Sequence, residues 1–207
     1  MGDDYADVWT AVRPYMRARK NDVHIPLSFH YAERLLERHP EADRDVVLLA
    51  TLLHDVGWGV LDEERIYAEA FARSGEEVDL TSEIRVAHEK EGARIASEVL
   101  TELGYDEALV AEVAAIVDGH DSRREPLSRN DELVKDADKL WRYSLTGVSV
   151  GCDWFDMTPG QYAARLARQV PDALFTEAAR EIGARELAQT RAILKVELLA
   201  EAPEAVR

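Results

Sequence analysis

Val46-Val47-Leu48-Leu49-Ala50-Thr51-Leu52-Leu53-His54-Asp55-Val56-Gly57 is an almost wholly apolar run that ends in a histidine and an aspartate side by side. The eight residues from Val46 to Leu53 have the pattern of a helix buried on every face. They deliver two potential metal ligands to the point where Gly57 and Gly59 are expected to stop the helix. Neighbouring helical residues point roughly 100° apart, too far to share a stripe but close enough for both tips to meet on one ion. A buried polar pair that hydrogen-bonds to itself explains His54-Asp55 equally well, so the rest of the chain has to decide.

Outward from this run, the spacing predicts helices and no strands. Val8, Trp9, Val12, Tyr15 and Met16 mark a lead-in helix within residues 3–19. Pro26 suits the first turn of a second helix that reaches about Arg38, which puts His24 at its entrance. Leu27, Tyr31, Ala32, Leu35 and Leu36 form its inner face. His30 points to another face and reads as a core or supporting histidine, while His39, before Pro40, reads as solvated.

On the far side, residues 62–74 read as a helix with Ile66, Tyr67, Ala70 and Phe71 inside, closed by Gly75. Thr81 and Ser82 offer N-caps to a long amphipathic helix through His88, Gly92, Ile95, Val99 and Leu103. Residues 106–117 are helical again and end at Asp118-Gly119-His120-Asp121. An Arg-rich loop, 122–129, precedes the acidic helix Asn130–Trp141. Residues 146–159, with Gly147 and Gly151, read as a mobile loop. Residues 172–201 supply one or two closing helices, and the tail 202–207 is expected to fray. The expectation is an all-α, single-domain helical bundle over residues 1–207, with a metal site in a core of about 23–141.

Bulk properties narrow the function. The 207 residues can bury a real core, and 46% hydrophobic with 32% charged residues is the profile of a globular chain. No apolar run approaches membrane-span length and the N-terminus begins acidic, so the chain is read as cytoplasmic with no membrane partner. The single Cys152 excludes an internal disulfide and a cysteine zinc cluster, leaving any metal to His and carboxylates. A net charge of −16 argues against a general nucleic-acid surface, which needs a cationic stripe. A homodimer stays open.

Six residues at helix ends or on inner faces could bind a hard or borderline cation: His24, His54, Asp55, His88, His120 and Asp138. Four histidines and two aspartates from separate helices are a ligand set that a bundle core can use. Their order, and the residues around each in Leu52–Gly57, His88–Ala93, Ile116–Asp121 and Val134–Leu140, resemble the HD-domain superfamily of metal-dependent phosphohydrolases.

The resemblance implies a divalent ion, one or two per chain (Mn, Mg, Fe, Co or Ni), acting on a small phosphorylated substrate such as a nucleotide. His24, His54, Asp55 and Asp138 would hold one ion. His88 and His120 would complete a second site bridged by Asp55, or support the ligands and touch substrate. Asp138 is preferred to its rival Asp136 because it directly precedes Lys139-Leu140, and His24 to its rival His30 by its interval to His54.

Phosphoester hydrolysis needs an activated water and a clamp on phosphoryl charge, both of which a divalent ion supplies. Asp55 and Asp121 are the catalytic candidates, Asp121 as the group that orients or deprotonates the water; a helix-end carboxylate is its competing reading. Lys139 and Arg142 could reach phosphate oxygens, and Arg123 and Arg124 could do so from the loop. Many members of the family carry a lysine soon after His-Asp-x-Gly. This chain has Trp58 there, which suggests an apolar rim or a wall against a base or sugar. Residues from Tyr143 onward match nothing recognisable. Two alternatives remain: a di-iron oxygenase of the same fold, and a noncatalytic metal-stabilised sensor module.

Overall fold

The computed structural model describes residues 5–70 and 82–195, and among these every regular element is helical. The helices are α1 (Ala6–Val12), α2 (Asn21–Leu36), α3 (Arg44–Leu53), α4 (Glu63–Glu69), α5 (Glu83–Glu102), α6 (Glu107–Val117), α7 (Arg129–Leu140), α8 (Leu145–Phe155), α9 (Pro159–Ala173) and α10 (Glu177–Leu194), with short 3₁₀ turns between some of them. The expectations for Phe71, Gly75 and Thr81, for the Tyr67 side chain and for the tail lie outside the described residues.

Helix α3 is the axis. Asp43 caps it by accepting from the amides of Asp45 and Val46, and every residue from Val46 to Leu53 is buried. It packs against α2, α6 and α7, with α5 crossing the turn that follows it. Each fully buried Leu or Val contributes roughly 1.5–3 kcal/mol of transfer free energy, so a helix apolar all round is stable only where neighbours cover all of it.

Gly57 and Gly59 do not stop α3, which ends at Leu53 before either is reached. They permit close approach. A Cβ on Gly57 would lie 1.9 Å from the His88 carbonyl oxygen, and one on Gly59 would lie 2.4 Å from that of Tyr15. Gly92 faces the same contact from α5, its Cβ direction 3.3 Å from the His54 carbonyl. Backbone therefore meets backbone where the His54-Asp55 turn crosses α5, and this brings His88 to Asp55.

Two further expectations are corrected. Residues 145–155 form α8 instead of a loop, because Gly147 and Gly151 seat the helix closely: added Cβ atoms would lie 2.0 Å from the Trp141 carbonyl oxygen and 2.3 Å from the Tyr162 ring. Helix α2 begins at Asn21, not at Pro26, after two residues with left-handed backbone, Arg19 (φ 49) and Lys20 (φ 59). His24 is thus inside the helix, and Pro26 lies within it.

Helices α9 and α10 pack together and cover α7 and α8. Thr158 and Gln161 make a capping box for α9, and Thr176 caps α10. No helix among the described residues is long and apolar enough to cross a membrane.

Candidate metal centre

Asp55 lies just beyond α3 (φ −107, ψ 5), and its two carboxylate oxygens face opposite ways. Oδ2 is 3.3 Å from His24 Nδ1 and 3.8 Å from His54 Nε2. Oδ1 is 3.5 Å from His88 Nε2 and 3.4 Å from His120 Nε2. Asp138 Oδ1 closes the first side, 2.9 Å from His24 Nε2 and 3.4 Å from His54 Nε2. All six candidate ligands from the sequence therefore meet, and all are buried.

The ring orientations suit a cation. His54 donates Nδ1–H to the Thr51 carbonyl at 2.7 Å, and His120 donates Nδ1–H to the Val117 carbonyl at 3.0 Å. A carbonyl can only accept, so each ring turns an Nε2 lone pair into the cluster. There the nitrogens crowd: His54 Nε2 is 3.2 Å from His24 Nε2, and His88 Nε2 is 3.4 Å from His120 Nε2. Three overlapping triads could each hold an ion, namely His24/His54/Asp138, His54/Asp55/His120 and His88/His120/Asp121, with donor atoms within 4.8 Å of one another.

The electrostatics agree with this. Burial pushes the Asp55 carboxyl upward, but His54 and the other three imidazoles hold it well below the usual carboxylate range. Asp138 behaves alike, with burial opposed by Arg142, His24 and His54. Burial would depress His120, yet its bond to Asp55 and the nearby Asp121 raise it to about 9. Protons on these imidazoles fill the role that a bound cation would take over.

Further residues bracket the ligands, and of these the sequence singled out only Trp58. Trp58 is fully buried, stacks on His88 at 3.9 Å and donates Nε1–H to Asp55 Oδ1 at 3.0 Å. It is a strut behind the ligands, not a wall for a base or sugar. Trp141 stacks on His24 at 4.7 Å, and Asn21 donates Nδ2–H to the Asp55 carbonyl at 2.9 Å.

Buried Glu89 accepts from the amides of Asp121 and Ser122 (2.8 and 2.7 Å) and from the Ser122 hydroxyl. Buried Lys135 donates to the carbonyls of Gly119, His120 and Arg123 at 2.7–3.0 Å. These two charges pin the turn that carries His120. Their sequence signal, charged residues on otherwise inward helix faces, is indistinguishable from a solvated stripe.

Among the remaining candidates, Asp121 pairs with buried Arg85 at 2.8 Å. Burial raises its carboxyl, but His120 and Arg85 outweigh this and bring it to about 2. Arg142 lies 3.5 Å from Asp138 Oδ2 with its side chain 40% exposed, so it stands at the mouth. Lys139 does not: its Nζ donates to the Ala173 carbonyl at the end of α9 and lies over the Phe175 ring. Arg123 is spent on the carbonyls of Ala115 and Asp118.

Asp136 accepts from the Phe175 and Thr176 amides and the Thr176 hydroxyl, joining α7 to the α9–α10 corner. His30 is exposed, correcting the expectation of a core histidine, and His39 is partly buried on Glu41 at 3.0 Å. Arg19, not anticipated, lies over the rings of Trp58 (4.4 Å) and Trp154 (5.2 Å). Burial brings it down to about 10, with Asp55 pulling the other way, which places its charge in the field of the cluster.

The HD domain family model matches residues 24–142. Among solved structures the chain is similar to one described as a predicted HD superfamily hydrolase, from an uncultured Thermotogales bacterium. The TM-score is 0.62 and the identity 22%, over 95% of this chain and 91% of that one. At this identity the likeness concerns the fold. No curated protein matches the chain. The matched span runs from the first candidate ligand, His24, past the last, Asp138, and more than half of the sequence lies within it: the chain belongs to the HD domain family.

Proposed function

We propose that the protein is a metal-dependent phosphohydrolase acting on a small phosphorylated molecule, with nucleotides as the substrate class. The observation that carries this reading is Asp55, whose two oxygens face two separate histidine pairs, an arrangement suited to two cations sharing one carboxylate. His24, His54, Asp55 and Asp138 would hold the first ion; Asp55, His88 and His120 would hold the second, with Asp121 beside it.

A bound divalent ion supplies positive charge that acidifies a water molecule and offsets the charge of a phosphoryl group. The chain's own residues do the rest. Arg142, half-exposed beside Asp138, can exchange part of that contact for phosphate oxygens, and Arg19 adds a second guanidinium. Asp121, held ionised beside Arg85 and His120, would accept a hydrogen bond that orients the attacking water.

The test reconstitutes purified protein with Mn, Mg, Co, Ni or Fe and measures phosphate or pyrophosphate release from a panel of nucleotides and phosphate esters. Release with at least one metal supports the reading; silence with every metal, while metal analysis shows occupancy, overturns it. The shared carboxylate also suits a di-iron oxygenase, which iron in the protein as isolated and oxygen-dependent turnover would reveal.

A further inference from the structure

Away from the metal centre, α1, the 3₁₀ turn at Arg13–Tyr15 and the first turn of α2 border an open surface cavity of about 870 Å³, most of whose lining residues are exposed. Its lining combines an apolar wall, Trp9, Pro14 and Met16, with two guanidiniums, Arg13 and Arg17, and with Asp22 at one edge. The volume lies in the range of small-molecule sites, as does the mixture of apolar surface with a few charged groups.

The charge here runs against the rest of the molecule. Residues 13–20 carry Arg13, Arg17, Arg19 and Lys20 and no acid, in a chain of net charge −16. Many surface arginines are committed to carboxylates: Arg34 to Glu186, Arg38 to Glu181, Arg94 to Glu91 and Glu98. Arg13 and Arg17 are exposed, and among the described residues neither takes part in an ion pair. Two cations left available beside a half-buried indole recognise an anion attached to a flat ring: guanidinium forks match phosphate oxygens, and Trp9 offers the ring a face.

We propose that this cavity is a second ligand site, separate from the metal centre, that binds a nucleoside phosphate with its phosphates on Arg13 and Arg17 and its base against Trp9. The site has a route to the metal centre. Two residues beyond Arg17 the backbone is left-handed at Arg19, whose guanidinium lies over Trp58, and Asn21 then bonds the Asp55 carbonyl. The lining residues thus run directly into the segment that carries Arg19 and Asn21.

Isothermal titration of the full-length chain with ADP, adenosine and pyrophosphate tests the proposal, using wild type, the double variant R13E/R17E, the single variant R17Q and the metal-centre variant D55N. Expected is ADP binding stronger than that of adenosine or pyrophosphate, retained in D55N, weakened several-fold in R17Q and at least tenfold in R13E/R17E. Metal content and far-UV circular dichroism should be unchanged in the two arginine variants. The proposal is overturned by absence of ADP binding, by binding indifferent to both arginine variants, or by binding lost in D55N, which would assign the ligand to the metal centre. Failure of phosphohydrolase activity leaves these outcomes unaffected.

Discussion

On one side of Asp55, His24 and Asp138 project from the interiors of α2 and α7 onto His54 at the end of α3. On the other, His88 comes from α5 but His120 comes from a turn. The first side is positioned by apolar packing: Val46 to Leu53, Ile25, Leu133, Ala137 and the Trp141 ring leave these helices no room to slide. The second is positioned by buried charges, Glu89 on the amides of the His120 turn and Lys135 on its carbonyls, with Arg85 holding Asp121. A turn has no repeating hydrogen bonds of its own, so its backbone groups need partners supplied from outside when they are buried. The two halves should therefore fail separately, the first with packing and the second with polar pins.

Asp55→Ala removes the group common to both halves and carries the largest expected effect. Metal analysis should show both ions lost and phosphate release at background. If the wild type releases no phosphate with any metal and Asp55→Ala only lowers the melting temperature, the metal is structural and the sensor reading replaces the enzyme.

Lys135→Met breaks the second half alone. Three carbonyls lose their donor, at a cost of about 3 kcal/mol or a fall in Tm of about 6–12 °C. Metal per chain should drop from two towards one; loss of both ions would show that the halves are not independent.

Trp58→Phe keeps the stack on His88 and deletes the bond to Asp55. The cost should be about 1 kcal/mol of stability and roughly 10–100-fold in affinity for the second ion. Unchanged affinity in a metal titration would reduce Trp58 to packing.

The metal-free protein should also depend on pH in a defined sense. The folded state raises His120 from 6.5 to about 9, so its contribution is complete below pH 6.5 and lost as pH rises through 9. It lowers Asp121 from 3.8 to about 2, so that contribution is complete above pH 3.8 and lost on acidification through 2. Chelator-treated protein should melt highest between these windows, and adding metal should raise Tm most on the alkaline side, where the ion need not displace protons. The smallest effect belongs to His30→Ala. This residue is exposed, so stability should move within about 0.5 kcal/mol and metal content not at all; a change in metal would reopen the choice between His30 and His24.

The asymmetry between the halves also explains what could be read early. His24, His54, Asp55, His88, His120 and Asp138 were legible because each falls at a helix end or on an inner face and because their order and flanking residues resemble the HD-domain superfamily. Glu89 and Lys135 were not, since a charge on an amphipathic helix looks solvated until the neighbouring turn is folded over it. Gly147 and Gly151 were misread for a related cause: a missing side chain signals freedom in an isolated chain and close contact in a packed one. Lys139 follows Asp138 directly, but its stem runs to the end of α9, a partner that sequence proximity does not supply.

By itself the sequence determined the all-helical class and the buried axis at Val46–Leu53, because periodicity and burial are properties of each segment, while the resemblance to the HD-domain superfamily selected the six clustered groups, Asp138 over Asp136 among them. Only the tertiary structure decided which way each oxygen of Asp55 faces, that Trp58 stands behind His88, that buried charges hold the His120 turn, and that two arginines near the start of the chain border a cavity. Those depend on the approach of segments distant in sequence, such as Gly57 against α5, where the absence of one methyl group sets how closely two backbones meet.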